Sequence, residues 1–360
     1  MQTFDLVLVG FGNVGRRFVR LLEERAEVLH GMHGVAWRVV GIATGRHGVA
    51  RNARGVDVAE ALSLVESGGS LDVLDDASSL PGGRPAPSES TVFIEQVTQG
   101  LRQLDEARRV VVVETTVLDV RKGQPATDHV RAALRGGAHV ITANKGPVAF
   151  AYEELRTLAE QAGRQFLFEG AVMDGIPIFN LAARTMPAVE VIGFRGVVNS
   201  TTNYIITAME NGREFGEALA EMQATGIAEA DASLDVDGWD AAAKAAAVAN
   251  VLMGARLTPH GVERTGVGHL TGQHVRAVAA GGRRVKLVAR GSRKNGKVRV
   301  AVAPEELPQH DLLAGLRDQQ NALILETDLL GELAIVQLGG GLTQTAYALV
   351  SDLVALTESD

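Results

Sequence analysis

The sequence predicts an α/β fold in which a doubly wound parallel sheet is followed by a second, α+β domain. Three observations support this class: short apolar runs alternate with helical segments up to about residue 150, a glycine-rich turn joins the first run to the first helix, and later strand signals favour an antiparallel sheet. At 360 residues, of which 46% are hydrophobic, the chain is long enough to bury two cores.

The first part of the chain has the pattern of a parallel sheet. An apolar run, Leu6–Val9, ends in Gly10-Phe11-Gly12-Asn13-Val14-Gly15, and apolar residues at helical spacing follow over Arg16–Glu24. Short β-branched runs then alternate with helical segments, as expected of strands buried on both faces. The later segments predicted here are strands at Trp37–Ala43, Val110–Glu114 and His139–Thr142, a helix at Asp128–Leu134, and a loop or insertion at Ser67–Ser90.

From Phe166 onward the pattern changes to that of an α+β domain. Strands at Val191–Val198 and Arg284–Arg290 flank a long helical region, and Asn295-Gly296 before Val298–Val302 is a strong hairpin signal. A final helix, Leu342–Leu356, follows three consecutive glycines and carries one apolar stripe. We therefore expect domains at 1–150 and 151–338, with residues 339–360 returning to the first domain.

The composition excludes several functional classes. A formal net charge of −8 argues against a nucleic-acid partner, which would need a basic face. No apolar stretch reaches the roughly 18 residues of a membrane helix, so we expect a cytoplasmic protein. The chain has no cysteine, which removes disulfides, thiolate metal sites and cysteine nucleophiles, and with them aldehyde chemistry through a thiohemiacetal.

The glycine turn predicts a dinucleotide site in a Rossmann-type domain. In Gly10-x-Gly12-x-x-Gly15 the first glycine permits a tight turn, the second lets the backbone approach a pyrophosphate, and the third lets helix and strand pack closely. The pyrophosphate then lies at a helix N-terminus, next to Asn13 and Val14. The pattern alone is weak, but its place between a strand and a helix supports it; a glycine turn without a ligand is the alternative.

The segment after the second strand favours NADP over NAD. NAD sites usually place an acid there to hold the ribose hydroxyls, whereas this chain runs Ile42-Ala43-Thr44-Gly45-Arg46-His47. Arg46, together with Arg51, is predicted to stack on adenine and bind a 2′-phosphate. A solvated loop charge is the alternative for Arg46.

An acid/base candidate lies on an otherwise apolar helix. The spacing of Asp240 and Lys244 places both side chains on one helix face, among alanines and valines with Asn250 as the other polar residue. Burying an unpaired charge costs free energy, so a lysine in such surroundings should be paired with an acid and have a function. Such a lysine can donate a proton to a carbonyl group while the carbonyl carbon accepts a hydride. The chain has no histidine between His139 and His260, which leaves Lys244 as the best candidate.

An acidic segment leads into this helix and suits a substrate that bears an ammonium group. Asp237 is predicted to cap the helix, while a solvated acidic loop is the alternative for Asp231 and Asp235. The five carboxylates are Glu229, Asp231, Asp235, Asp237 and Asp240.

Taken together, these segments resemble the homoserine dehydrogenase family over nearly the whole chain. Each motif alone would be weak evidence, but their occurrence in the same order as in the family is specific. The matching motifs continue through Pro308-x-His310, Asn321-Ala322 and Thr345-Ala346. The resemblance implies a nicotinamide-dependent oxidoreductase of threonine and methionine biosynthesis that interconverts L-aspartate 4-semialdehyde and L-homoserine. The central motifs are Gly10–Gly15, Thr142–Pro147, Asn199–Ile205 and the acidic segment before Asp240-x-x-x-Lys244.

The resemblance also implies roles for individual residues. Lys244 aligns with the proton-transfer lysine, Glu229 and Asp240 with acids that bind the substrate's amino end, and Ser200 and Thr201 with a substrate-positioning loop. The cofactor contacts implied in this way are Thr115, Thr116, Lys145 and Gly341. Lys145 aligns with a lysine near the nicotinamide and the substrate, for which proton transfer is the alternative role. Relatives often have aspartate where this chain has Glu114, so the geometry of the two threonines is an open question.

The family also holds a monovalent cation, typically sodium, through a glutamate and backbone carbonyls. The corresponding stretch offers Glu169, Val172, Asp174 and Ile176. Asp174 replaces a small residue of many relatives and has no explanation from sequence. For Glu169 the alternative is a buried acid satisfied by backbone amides.

The leading hypothesis is therefore a homodimeric dehydrogenase whose second domain provides substrate contacts and the dimer interface. Two other functions stay open at this point. One is a related amino-acid dehydrogenase with a different carbonyl substrate, and the other is a non-catalytic NAD(P) sensor that kept the glycine turn.

Overall fold

The computed structural model describes residues 1–81, 89–117, 119, 121–224 and 232–358, and the chain divides into two compact units. The first unit is Met1–Gly175 together with Gly341–Asp360, and the second is Ile176–Gly340. The first unit extends past residue 150 because the long helix that begins at Lys145 and the strand after it belong to the first sheet. None of the described helices is long and apolar enough to cross a membrane.

The first unit is built on a sheet whose order is β3-β2-β1-β4-β5-β6, and every pairing except β2 with β3 is parallel. The strand order reverses between β1 and β4, which in open α/β sheets marks the ligand-binding crevice at the carboxyl ends of the strands. The predicted doubly wound fold is confirmed. The strands are β1 (Gln2–Val9), β2 (Val35–Ala43), β3 (Val49–Arg51), β4 (Arg109–Glu114), β5 (His139–Thr142) and β6 (Phe166–Leu167).

Among the described residues between 13 and 162, the first unit has six helices. They are α1 (Asn13–Glu24), α2 (Ala26–His33), α3 (Val58–Glu66), α4 (Ser90–Leu104), α5 (Ala126–Arg135) and α6 (Lys145–Ala162). The described part of the predicted loop at 67–90 contains two short 3₁₀ turns, and Leu71 in the first of them is fully buried. This part of the loop is therefore packed into the unit.

The second unit is built on a mostly antiparallel sheet of order β12-β11-β7-β9-β10-β8. Its hairpin turns at Asn295-Gly296, where both residues have positive φ (51° and 74°), so this prediction is confirmed. The strands are β7 (Val191–Val197), β8 (Glu263–Arg264), β9 (Arg283–Lys294), β10 (Lys297–Pro308), β11 (Asn321–Thr327) and β12 (Gly331–Gln337). The helices are α7 (Phe179–Thr185), α8 (Ser200–Glu210), α9 (Phe215–Ala224), α10 (Ser233–Val236), α11 (Trp239–Met253) and α12 (Gly272–Ala280).

The last helix, α13 (Leu342–Ala355), belongs to the first unit. Leu349 and Leu353 are fully buried in the same apolar cluster as Phe18 and Leu22 of α1. The predicted apolar stripe thus packs into the core beside the first helix. A segment close to the end of the chain completes the unit that the first strand begins.

Candidate active site

The glycine turn between β1 and α1 uses its three glycines differently. Gly10 has a φ of +90°, and a Cβ there would lie 2.7 Å from the carbonyl carbon of Thr115. A Cβ on Gly15 would lie 2.7 Å from the carbonyl oxygen of Gly10. A Cβ on Gly12, in contrast, would have no described atom within 4 Å. The first and third glycines are therefore required by packing, whereas the second faces open space.

The first turn of α1 is suited to an anion. Gly12 is the N-cap residue and supplies no side-chain hydrogen bond to the backbone N–H groups that follow. Asn13 accepts a hydrogen bond from Arg16 at 2.9 Å, and Val14 packs partly against the core of the unit. Exposed N–H groups at a helix start favour a negatively charged group such as a pyrophosphate.

Glu114 organises the threonine pair at the end of β4. Its carboxylate is fully buried and accepts hydrogen bonds from the backbone N–H and the hydroxyl of Thr116, and from the hydroxyl of Thr142 at 3.0 Å. The Thr115 hydroxyl donates to the Gly10 carbonyl at 2.7 Å. The longer acid thus turns inward and holds the loop, and Thr115 links this loop to the glycine turn.

Asn144 and Lys145 lie at the start of α6, after β5. The Asn144 side chain accepts from the Gly146 N–H at 2.9 Å, as an N-cap, and donates to the Thr116 carbonyl at 3.1 Å. Lys145, the first helical residue, is half-buried. The structure therefore brings Thr115, Thr116 and Lys145 together at the carboxyl ends of β4 and β5. The sequence identified Glu114 only as a departure from relatives and gave Asn144 no role, although an asparagine directly before a helix is an N-cap signal.

Arg46 and Arg51 have different environments. Arg46 is exposed in a turn closed by hydrogen bonds between Thr44 and Gly48, directly after β2. Arg51 is 1% exposed, and its guanidinium binds both carboxylate oxygens of Asp75 at 3.0 Å. The prediction that Arg51 helps to bind a 2′-phosphate is therefore wrong, because a buried bidentate ion pair already occupies it.

The segment after β6 contains the residues predicted to hold a cation. Glu169 is buried, and its backbone N–H donates to the Asp352 carboxylate at 2.9 Å. Asp174 has a left-handed φ of 49°, and its carboxylate accepts from the Thr345 hydroxyl at 3.1 Å. The unexplained Asp174 thus ties this turn to α13, whose N-cap is the exposed Gly341. Val172 is buried in the same turn, and Ile176 begins the second unit.

These residues offer oxygen donors of the kind a monovalent cation takes. A buried carboxylate next to a turn rich in carbonyl groups fits a hard cation, which prefers oxygen ligands. Over the described residues there is no cluster of three or more histidines, aspartates or glutamates arranged to hold a metal.

Lys244 lies on α11 in the second unit and is largely enclosed. Its ammonium nitrogen lies 3.1 Å from a carboxylate oxygen of Asp240 and donates to the Val198 carbonyl at 2.8 Å. The two charged side chains are 17% and 15% exposed. The predicted pair therefore exists on one helix face, with an ammonium that is held in place and still reaches solvent.

Two further residues lie next to this pair: Asn199, which had no role assigned from the sequence, and Asp235, one of the five acids predicted to suit an ammonium group. The Asn199 amide donates to Asp240 at 2.9 Å and to Asp235 at 2.7 Å, so it bridges the two acids. Burial raises the pKa of Asp235, and the charge of Asp240 adds to this effect. Asp235, for which a solvated loop was the alternative, is thus part of the charged cluster around Lys244.

Of the other residues predicted in this region, some lie next to the Lys244 cluster, one does not have its predicted role, and two lie outside the described residues. Ser200 and Thr201 form the first turn of α8, where Asn199 is the N-cap, and the Thr201 hydroxyl bonds to Asp235. Asp237 does not cap α11, because Gly238, with a φ of +77°, is the N-cap residue. Glu229 and Asp231 lie outside the described residues.

A second buried lysine, Lys286 on β9, is held by hydrogen bonds inside the second unit. Its ammonium group donates to the Asn203 side chain at 2.8 Å and to the Leu316 carbonyl at 2.6 Å. Burial lowers the pKa of Lys286 to about 8. Lys286 has no exposed surface, and its two hydrogen bonds tie α8 to the loop before β11, whereas the side chain of Lys244 is partly exposed.

Comparisons with known proteins match both units. The family described as homoserine dehydrogenase, NAD binding domain, matches residues 10–169, and the family described as homoserine dehydrogenase matches residues 177–354. The chain is 33% identical over 360 residues to the NAD(+)-dependent homoserine dehydrogenase of Pseudomonas canavaninivorans, with 100% of this chain and 97% of that protein covered.

Two further matches agree. The homoserine dehydrogenase of Methanocaldococcus jannaschii is 33% identical over 356 residues, which cover 99% of each chain. The crystal structure of the homoserine dehydrogenase from Thermoplasma acidophilum superposes with a TM-score of 0.79 at 25% identity, covering 99% of this chain and 100% of that one.

Proposed function

The chain belongs to the homoserine dehydrogenase family, and from this premise we propose that it catalyses the nicotinamide-linked interconversion of L-aspartate 4-semialdehyde and L-homoserine. The observation that carries the proposal is the enclosed ammonium group of Lys244, held between Asp240 and the Val198 carbonyl. Reduction of an aldehyde by hydride leaves an oxygen that needs a proton, and this ammonium group can donate one.

Lys244 acts as the general acid and base in this proposal. When bound in the first unit, a reduced nicotinamide would supply the hydride for the aldehyde carbon. As the carbon–oxygen double bond becomes a single bond, Lys244 gives a proton from its Nζ to the oxygen, which becomes the hydroxyl of homoserine. In the reverse direction neutral Lys244 takes that proton back. The Asp240 carboxylate and the Val198 carbonyl orient the ammonium group for both directions.

The acids around Lys244 are proposed to bind the amino end of the substrate. Asp240 and Asp235 form a pair bridged by Asn199, and a substrate ammonium group would relieve the repulsion between them. By family resemblance Glu229 is also proposed to bind the amino group of the substrate. Ser200 and Thr201, at the start of α8, are proposed to position the substrate.

The cofactor site is proposed at the carboxyl ends of the strands of the first unit. Gly12 leaves room for the pyrophosphate, and Gly10 and Gly15 hold the turn in shape. We assign contacts near the nicotinamide to Thr115, Thr116 and Lys145, a further cofactor contact to Gly341, and those near the pyrophosphate to Asn13 and Val14. The protein supplies position and charge, while the cofactor supplies the redox chemistry.

We further propose a preference for NADP that depends on Arg46. Replacing Arg46 with alanine should raise the KM for NADP about tenfold and leave the KM for NAD unchanged, because a free guanidinium binds a phosphate bidentately. Initial rates of homoserine oxidation with each cofactor measure this. Arg54→Ala is the control, since Arg54 is also exposed but lies after β3. Equal KM values for NADP in wild type and Arg46→Ala would exclude this role of Arg46.

A monovalent cation such as sodium is proposed to bind the Glu169 carboxylate and the carbonyls of Val172, Asp174 and Ile176. The buried acid in a carbonyl-rich turn supports this assignment. Homoserine oxidation should be faster in sodium chloride than in choline chloride at equal ionic strength. The same rate in both salts would count against the site.

A homodimer formed through the second unit is also proposed. β12 pairs on one side with β11, and exposed apolar side chains lie on or beside it at Leu330, Val336 and Leu338. An unpaired edge with apolar neighbours is a surface that natural proteins cover. Sedimentation equilibrium should therefore give twice the chain mass, and the mass of one chain would exclude the dimer.

The assay that tests the activity itself is oxidation of L-homoserine compared with other amino alcohols. We expect L-homoserine to be oxidised with the highest kcat/KM. A preference for a different amino alcohol would indicate a related dehydrogenase, and cofactor binding without any turnover would indicate a sensor.

A further inference from the structure

A second polar pocket lies in the first unit, where β4 and β5 begin. Its volume is about 190 Å³. Because parallel strands all start at the same edge of the sheet, this pocket lies at the edge opposite the glycine turn and the threonine pair. The residues that line it are Glu106, Ala107, Arg108, Arg109, Val110, His139 and Arg164. The mechanism proposed above uses none of them.

Basic groups predominate around the pocket, where Glu106 is the one acid among the lining residues and Arg108 is paired with Asp5. Arg109, His139 and Arg164 line it, and the Arg102 guanidinium lies beside them over Gly137. Burial lowers the pKa of Arg164, and the charges of Arg102 and Arg109 lower it further. Burial likewise lowers the pKa of His139 to about 4, with contributions from Arg164 and Arg109. These groups therefore repel one another in the folded protein.

Backbone carbonyls hold the guanidinium groups in place. Arg164 donates from Nε to the Gly137 carbonyl at 2.5 Å and from one Nη to the Gly163 carbonyl at 3.3 Å. Arg102 donates to the Gly136 carbonyl at 3.5 Å. A carbonyl fixes the plane of a guanidinium but brings no net charge to neutralise it. The positive potential of the pocket is thus built into the loops that lead to β5 and β6.

His139 adds a hydrogen-bond donor. Its Nδ1 accepts from the Gln165 backbone N–H at 3.1 Å. A neutral imidazole that accepts through Nδ1 carries its proton on Nε2, which is then free to donate to an anion. The ring of His139 lines the pocket together with Arg164.

We propose that this pocket binds a phosphate group. Guanidinium forks and an imidazole N–H offer more donors than the two oxygens of a carboxylate can accept, and a tetrahedral oxyanion satisfies them from several directions. The volume suits a small anion, since it is below the range of about 300 to 1,000 Å³ that larger organic ligands occupy. A bound dianion would also relieve the repulsion among the arginines and His139.

The test is titration of the full chain with inorganic phosphate and, in a second arm, with glycerol 3-phosphate. With NADP bound at the cofactor site, calorimetry should show one saturable site, and the pKa of His139, followed by NMR, should rise by about one unit because a nearby anion favours the imidazolium. Binding of inorganic phosphate alone identifies the free ion as the ligand, whereas tighter binding of the ester identifies a phosphomonoester. Failure of both to bind saturably would overturn the proposal.

Variants separate this pocket from other surface charge. Arg102→Gln, which removes an exposed rim arginine, should weaken phosphate binding about tenfold without changing Tm in phosphate-free buffer. Arg164→Gln should weaken binding at least as much. Arg25→Gln, an equal charge change at the exposed end of α1, should leave binding unchanged. Unchanged binding in Arg102→Gln and Arg164→Gln, or an equal loss in Arg25→Gln, would overturn the assignment.

Discussion

Replacing Lys244 with methionine is expected to lower kcat for homoserine oxidation about 10³-fold while the affinity for the nicotinamide cofactor stays unchanged. Methionine fills a similar volume on the apolar helix but cannot transfer a proton. The Asp240 carboxylate and the Val198 carbonyl would lose their ammonium partner, which would be replaced by water at this partly exposed position. Steady-state kinetics together with cofactor titration by fluorescence measure both quantities.

Two further variants show whether the loss of activity is specific to Lys244 and whether it comes from lost proton transfer or from lost charge. Lys294→Met makes the same change at an exposed lysine next to the β9–β10 turn and should retain full activity. Lys244→Arg keeps the positive charge in a group that does not release a proton near neutral pH, so it should be almost as inactive as Lys244→Met. Full activity of Lys244→Arg would assign an electrostatic role to Lys244, and full activity of Lys244→Met would remove it from the reaction.

The second large effect is expected at the glycine turn, where two alanine substitutions should have opposite consequences. Gly10→Ala places a Cβ 2.7 Å from the backbone of Thr115 at a φ of +90°. We expect a loss of about 3 kcal/mol in the free energy of unfolding, because strain and overpacking act together. Denaturant unfolding measures this loss.

Gly12→Ala is the matched variant. A Cβ at Gly12 meets no described atom within 4 Å, so the free energy of unfolding should change by less than about 0.5 kcal/mol. The new methyl group points into the space assigned to the pyrophosphate, and cofactor affinity should fall about tenfold or more. If Gly12→Ala binds cofactor as tightly as wild type, the pyrophosphate does not approach this turn.

Local patterns were sufficient for much of the fold. The alternation of short apolar runs with helical spacing marks β1, β2, β4 and β5, because a strand buried on both faces reads as a continuous apolar run. The three-residue strand β3 has too few residues to show any period. The pair of Asp240 and Lys244 was also predictable, since helical spacing alone brings their side chains together.

Partners that are distant in sequence account for what the sequence did not reveal. Two arginines follow β2, and only the position of Asp75 shows that Arg51 is buried while Arg46 remains exposed. From sequence alone Asp235 could belong to a solvated loop. In the structure Asn199, which follows β7, donates hydrogen bonds to both Asp235 and Asp240 and so connects them. No window of sequence contains these contacts, because the fold creates them.

The position of α13 has a consequence for how the protein is made. A ribosome delivers Phe18 and Leu22 early, yet their partners Leu349 and Leu353 emerge only after the whole of Ile176–Gly340 has been synthesised. The contiguous segment Ile176–Gly340 can assemble its sheet before the nucleotide-binding half has its final helix. Nascent chains should therefore carry an exposed apolar strip on α1 until α13 has been synthesised, and the emergence of α13 becomes the event that completes the cofactor-binding half.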